Sequence, residues 1–314
     1  MANSAWQAPE RTSLPTLHVI CGPTGAGKSA LAMSLASRHG LTIVSADSRQ
    51  VYRGFDIGTA KPSRADRAVV PHFGIDVAEP PERWSAVRWS DNATTWISES
   101  GARGAIVVGG TGLYLRALES PLFDEPPLDP AGRAALAKEL DGWSVAELRR
   151  WVQRLDPPRA MLGRTQLLRA LEIALLTGQR LSDLHRASER TPRFRVRWLV
   201  VDPGPELHNQ IAARLDAMLA SGWIAEAAEL AKSVDPDAPA WQACGYTAVR
   251  ALALGQRELH KVRETILVET RQYAKRQRTW FRHQLEGADV MRIDPRSPGA
   301  DAAVHTWWDQ EESA

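Results

Sequence analysis

The sequence predicts an α/β protein: a P-loop parallel sheet core with helices on both faces and an inserted all-helical subdomain. Three observations carry this. Short apolar runs alternate with helical patterns, as in a parallel sheet covered on both sides. The first of these runs leads straight into a glycine-rich turn that opens a helix. Between 124 and 191 the strand-like runs vanish and helical periodicity alone remains.

The elements follow in order. Residues 17–21 (LHVIC) form a buried strand, 22–29 (GPTGAGKS) a glycine turn, and SALAMSLASRHG a helix. Ala30, Leu31, Met33, Leu35 and Ala36 give that helix its apolar face, and Gly40 ends it. Residues 43–46 form a second strand. Residues 105–108 (AIVV) form a third, closed by Gly109 and Gly110. Residues 198–201 (WLVV) form a fourth, ending at Asp202-Pro203, and 290–293 a fifth. Within 124–191 the apolar positions recur at helical spacing: Leu136 and Leu140; Leu148, Val152 and Leu155; Leu167, Leu171 and Leu175. Pro157-Pro158 and Gly163 break these helices. After Asp202 the chain is helical again, with a long segment over 261–285. The expected organisation is a flexible leader over 1–13, a core made of 14–123 and 192–314, and a helical insertion over 124–191.

Composition narrows the function classes. The chain has 314 residues, 44% hydrophobic and 24% charged, the profile of an ordinary globular protein. No apolar run approaches the ~18 residues of a membrane span. The leader has no apolar core and carries Glu10, unlike a signal peptide. Cys21 and Cys244 have neither metal-ligand nor disulfide spacing. The expectation is a cytoplasmic monomer with no membrane partner. Net charge is +2, but it is unevenly spread. Residues 141–200 hold 12 Arg against 6 Asp and Glu, and 257–283 hold 8 Lys and Arg against 3 Glu. Two basic regions on an acidic body suit a polyanion.

GPTGAGKS matches G-x-x-x-x-G-K-[ST]. Gly22, Pro23, Thr24, Gly25, Ala26, Gly27, Lys28 and Ser29 can wrap a diphosphate with backbone N–H groups, at the positive end of the following helix. Lys28 adds a point charge, and the Ser29 hydroxyl can reach a magnesium ion. Such a loop is the common mark of ATP- and GTP-binding proteins. Most P-loop nucleotidases also end an apolar strand in an Asp that holds magnesium. The third strand here ends in GGTGLYL, with no acid. The best-placed carboxylate is Asp47, at the tip of the second strand, where open α/β sheets collect ligands.

In chain order, GPTGAGKS, ADSRQVYRGFDIGTAKP, GGTGLYLRAL, RALE, ACGY and TRQYAKRQRTWFR resemble the tRNA dimethylallyltransferase family, over nearly the whole chain. The resemblance implies that the P-loop holds the diphosphate of dimethylallyl diphosphate, with Mg2+. It implies that Asp47 accepts the proton of an adenine N6 in the tRNA anticodon stem-loop, and that Lys28 and Arg214 act at the diphosphate. By the same resemblance, Asp47, Ser48, Arg49 and Gln50 contact tRNA, as do Thr111, Arg133, Thr165, Gln166 and Arg169. In RTQLLRALE the family's usual Gln-Arg-x-x-Arg is altered: Thr165 and Gln166 replace its first two residues, and Arg169 remains.

The segment ETRQYAKRQRTWFRHQL also stands on its own. On a helix, Arg271, Lys275, Arg278 and Arg282 fall along one face and suit a phosphate backbone. Tyr273, Trp280 and Phe281 are expected to pack into the core. The competing readings are an adenylate isopentenyltransferase acting on free nucleotides, a small-molecule P-loop kinase and a non-catalytic RNA-binding module. The first leaves the basic regions superfluous. The second calls for a strand-end acid, and the third leaves the P-loop and Asp47 unexplained.

Overall fold

In the computed structural model, residues 14–119, 126, 128–187 and 191–309 are described. The leader expected over 1–13 lies outside the described residues, as do Asp124 and Glu125 at the expected start of the insertion. The chain divides into two compact units. One comprises the stretches up to Glu119 and from Pro192 onward, and the other lies within 120–191.

The first unit carries β1 (Thr16–Cys21), α1 (Lys28–His39), β2 (Thr42–Ala46), α2 (Arg64–Val69), β3 (His72–Phe73), α3 (Ala86–Glu99), β4 (Ala105–Gly109) and α4 (Gly112–Glu119). The second carries α5 (Pro130–Leu140), α6 (Val145–Leu155), α7 (Arg164–Thr177) and α8 (Leu181–Ala187). The chain then returns to the first unit with β5 (Arg195–Val201), α9 (Leu207–Ala220), α10 (Trp223–Leu230), α11 (Tyr246–Ala253), α12 (Leu259–Gln284), β6 (Val290–Ile293) and α13 (Ala300–Asp309). The six strands form one parallel sheet in the order β3-β2-β4-β1-β5-β6. Strand β3 went unforeseen because two residues show no alternation. Pairing with Ile43 and Val44 defines it.

The topology locates the crevice. The chain leaves β1 toward β2 on one side and leaves β4 toward β5 on the other, while β1 and β4 are neighbours. A gap therefore opens beyond their carboxyl ends, where ligands gather in such sheets. Cys21 and Ala46 both pair with Gly109, so three strand ends meet there. A Cβ on Gly109 would collide with the backbone of Ala46. Helix α1 buries Ala32, Leu35 and Ala36. Ala30, expected on that face, is exposed instead, because the first turn of α1 overhangs a cavity that Ala30 lines.

Among the described residues, apolar clusters hold each unit. The sheet core joins Ile20, Leu35, Ile106 and Leu199 with Trp307 of α13. A second cluster packs Phe55, Trp223, Trp241 and Tyr246 with Ile266 of α12. The unit within 120–191 has its own core of Leu140, Leu148, Val152, Leu167 and Leu171. No helix of the described residues is long and apolar enough to cross a membrane.

Because β4 cannot retreat from β2 without breaking ladder bonds, Gly109→Ala is expected to cost about 1–3 kcal/mol by overpacking. Thermal unfolding checks this, and an unchanged midpoint would mean that β4 shifts at no cost.

Candidate active site

The loop between β1 and α1 runs from Gly22 to Lys28, the first residue of α1, so its N–H groups and the helix's positive end share one place. The Lys28 ammonium donates to the Pro23 carbonyl at 2.8 Å. Burial, then the nearby Arg214 guanidinium, lowers its pKa to about 8, with Asp47 pulling the other way. Arg214 projects from α9 into the same cavity, of about 420 Å³, as Lys28, Ser29 and Asp47. Burial holds Arg214 below its usual range, and Asp47 again opposes the shift.

Asp47 follows β2 directly. Its Oδ1 accepts from the backbone N–H of Arg49 at 2.8 Å and of Gln50 at 3.4 Å, an Asx turn that fixes the carboxylate at the strand tip. The turn is tied to the end of β4. Ser48 N–H donates to Thr111 Oγ1 at 3.0 Å, and Thr111 N–H donates to the Ala46 carbonyl at 3.2 Å. Asp47 lines the cavity it shares with the P-loop and also a second cavity, of about 650 Å³. Ser48, Arg49, Thr111, Tyr273 and Trp280 face this larger one.

Gln50 is engaged internally. Its Oε1 accepts from Ser45 Oγ at 2.9 Å, and its Nε2 donates to the carbonyls of Thr59 and Ala60, both at 3.1 Å. That carboxamide fastens the GFDIGTAK loop to β2. The same loop is clamped from the far side by Glu226, whose Oε2 accepts from Ile57 N–H at 2.8 Å. Tyr246, from the ACGY segment, donates its hydroxyl to Glu226 at 2.5 Å and accepts from Gly58 N–H at 3.1 Å. Burial, reinforced by Glu226, pushes the Tyr246 phenol far up, so it stays protonated. Lys61 is enclosed by Asp56 at 2.7 Å and Asp76 at 2.6 Å. The sequence assigned no part to Glu226 or Tyr246. The ACGY segment was the one visible trace of Tyr246.

Helix α12 is divided by face. Arg271, Lys275 and Arg282 are exposed. Arg278, on the same stripe, is instead held by Asp202 and the Gly204 carbonyl. Phe281 is buried in the core, whereas Tyr273 and Trp280, expected there too, face the larger cavity. Burial and then Asp47 raise the Tyr273 phenol to about 12. Gln277 turns inward beside them, a residue that no sequence pattern singled out. Of the cysteines, Cys21 is buried in β1 with its thiol pushed far up by burial, and Cys244 meets Thr270 Oγ1 at 3.4 Å on the cavity wall.

The remaining candidates lie in the other unit. Arg133 on α5 and Arg169 on α7 both pair with Glu172. Thr165 and Gln166 are exposed in the first turn of α7, where Gln166 Oε1 accepts from Gly163 N–H at 3.2 Å.

Comparison with known proteins points to one family. The family model for IPP transferase matches residues 50–284, and that for isopentenyl transferase matches residues 15–69. A tRNA dimethylallyltransferase of Halorhodospira halophila is 41% identical over 305 residues, covering 93% of this chain and 97% of the relative. One from Gloeobacter violaceus is 44% identical over 276 residues, covering 84% and 88%. Among solved structures, the tRNA isopentenylpyrophosphate transferase of Bacillus halodurans is 31% identical with a TM-score of 0.66, covering 93% of this chain and 95% of that one. A eukaryotic dimethylallyltransferase acting on tRNA aligns with a TM-score of 0.74 and 26% identity, covering 95% and 76%. A P-loop facing a strand-tip carboxylate, and relatives matched nearly end to end, put this chain in the IPP transferase family, that of the tRNA dimethylallyltransferases.

Proposed function

We propose that the protein transfers the dimethylallyl group of dimethylallyl diphosphate to N6 of adenosine 37, next to the anticodon of tRNA, and releases pyrophosphate. One observation carries the reading. Asp47 lines two cavities at once, one walled by the P-loop and one by α12 and the Thr111 turn. The diphosphate belongs to the first and the extruded adenine to the second.

The chemistry follows. The N6 lone pair attacks C1 of the prenyl group, the C1–O bond breaks, and its electron pair leaves with pyrophosphate. N6 is a poor nucleophile because its lone pair is delocalised into the ring. Asp47 accepts the N6 proton as the bond forms. Lys28, Arg214 and the loop N–H groups stabilise the charge that grows on the leaving group. A closed, base-filled cavity keeps water from the allylic centre.

Magnesium fits the donor set. Among the described residues no three His, Cys, Asp or Glu are grouped to hold a metal. Mg2+, however, needs few protein ligands when substrate phosphates supply the rest. Ser29, which lines the cavity with Lys28, would hold it through its hydroxyl together with the diphosphate. When bound, the ion would neutralise charge on the departing pyrophosphate. A tRNA acceptor puts the reaction in the cytoplasm. A monomer suffices, since one chain supplies every group named.

The exposed cations of α12 favour tRNA over a free nucleotide. A labelled-prenyl assay with Mg2+, run on unmodified tRNA and on AMP in parallel, is expected to label tRNA alone. Label in AMP would move the chain to the free-nucleotide reading, and no label in either would remove prenyl transfer. Asp47→Asn keeps the Asx-turn acceptor and removes the base, so single-turnover transfer should fall by roughly 100- to 10,000-fold.

Lys28 gives a pH dependence. Its pKa in the free protein is about 8, below the ordinary 10.5, so the ammonium is charged below pH 8 and neutral above it. A bound diphosphate raises that pKa. Donor binding at pH 8.5 should therefore take up a proton and weaken as pH rises, whereas at pH 6.5 to 7 Lys28 takes up none. Calorimetry of dimethylallyl diphosphate binding without tRNA, in buffers of different ionisation enthalpy, measures the uptake. Lys28→Met should abolish it.

Arg271→Ala and Lys275→Ala should each weaken anticodon stem-loop binding and reduce the slope of log K against log salt by about one. Arg278→Ala should instead lower the unfolding midpoint, because Asp202 loses its partner. Anisotropy titrations and thermal melts separate the two classes.

A further inference from the structure

The crevice at the carboxyl ends of β1 and β4 is spanned by one side chain. Gln277 comes from the buried face of α12 and is 7% exposed. Its Oε1 accepts from the backbone N–H of Thr24, in the P-loop, at 2.8 Å. Its Nε2 donates to the carbonyl of Gly110, just past β4, at 2.8 Å. Both ends of the carboxamide are therefore used, on two turns that the sheet topology drives apart. The chain makes room for the amide: a Cβ on Gly110 would collide with Gln277 Nε2.

Each turn carries one half of the proposed reaction. Thr24 belongs to the loop assigned to the leaving diphosphate. Gly110 precedes Thr111, whose hydroxyl accepts from Ser48 N–H beside Asp47 and whose own N–H donates to Ala46. Continuous contacts thus run from the P-loop through Gln277 to the turn that presents Asp47. Gln277 lines both cavities as well.

We propose that Gln277 is a positioning residue that sets the spacing between the diphosphate-holding loop and the general base Asp47. This rests on the reading of Asp47 as the base. A base and a leaving-group cradle on separate turns must hold their separation to a fraction of an ångström, since a misplacement of 1 Å costs about 100-fold in rate. Local hydrogen bonds orient each turn by itself, and Gln277 relates one to the other. Its contribution should lie in turnover rather than in binding, because its carboxamide is spent on Thr24 and Gly110, so an apolar replacement takes no free donor or acceptor from either cavity.

The test is a double-mutant cycle read by single-turnover prenyl transfer to unmodified tRNA. Gln277→Met keeps the shape and removes both hydrogen bonds. It should lower the transfer rate by roughly 10- to 100-fold while the KM values for donor and tRNA stay within about threefold. In an Asp47→Asn background the same substitution should have little further effect, since no base remains to be positioned. Equal losses in both backgrounds would mean that Gln277 is merely structural and would overturn the proposal. So would a Gln277→Met protein that turns over like the wild type while Asp47→Asn does not. Full turnover in Asp47→Asn would instead overturn the base assignment, and the positioning role would fall with it. If Gln277→Met fails to fold, Gln277→Glu, which retains the acceptor for Thr24 N–H, goes through the same cycle under the same criteria.

Discussion

Lys28 and Arg214 are two cations in one desolvated crevice, where Asp47 is the carboxylate that acts on both; Asp66, on the same cavity wall, is taken by the backbone N–H and hydroxyl of Ser63. Desolvation works against each cation, and Arg214 adds to the penalty on Lys28. Asp47 opposes both shifts but cannot balance two positive charges alone. The crevice is thus built for an anion that brings more than one negative charge, which a diphosphate does and a neutral acceptor does not. On the proposed mechanism this imbalance has a kinetic use. Before the donor binds, Asp47 serves as counter-ion. Once the diphosphate takes over that role, the carboxylate is released to act on the acceptor's proton.

The polar groups around this crevice fall into two populations. Gln50, Gln277, Glu226, Tyr246, Lys61 and Arg278 have their hydrogen bonds committed to backbone, to a neighbouring side chain or to a fixed ion-pair partner. They hold the GFDIGTAK loop, the P-loop and the end of α12 in place. Arg271, Lys275 and Arg282 are exposed on α12, and the Asp47 carboxylate and Ser29 line cavities. Unspent donors and charges mark where substrate can be met, whereas spent ones mark where geometry is kept. Gln50 and Arg278 are examples. Both belong to motifs matched to RNA contact, yet their side chains are occupied within the protein.

What could be read from the sequence follows the range of the interactions. The P-loop was legible because its chemistry is contiguous, with glycines, Lys28 and Ser29 falling on one strand-turn-helix transition. The parallel sheet was legible because each strand but β3 is a compact apolar run. Asp47 was legible as a carboxylate at a strand tip, although its Asx turn was not. The pairing of Arg278 with Asp202 spans 76 residues and that of Gln277 with Thr24 spans 253. No local pattern announces such contacts. The aromatics of α12 misled for a related reason: helical spacing puts Tyr273 and Trp280 on an apolar face, but tertiary structure opens a cavity against that face.

On the proposed mechanism, the glycines at the end of β4 help to explain how a P-loop serves a diphosphate that is discarded rather than a nucleotide that is hydrolysed. In most P-loop nucleotidases a strand-end acid holds the magnesium of the nucleotide. Here β4 ends in Gly109, with Ala46 backbone where a side chain would go, and then Gly110, with Gln277 where the next would go. No carboxylate fits at either place. Of the other strand-end acids, Asp202 is taken by Arg278 and by the N–H of Gly204 at 3.0 Å, and Asp294 by Arg296 at 2.8 Å. The crevice that would present a metal-binding acid is filled by a neutral carboxamide, and the carboxylate stands one strand over, on β2. There it borders the cavity open to the acceptor as well as the one walled by the P-loop. On the proposed mechanism, a loop suited to phosphoryl transfer thereby becomes a cradle for a leaving group, with the base on the acceptor's side of the bond that breaks.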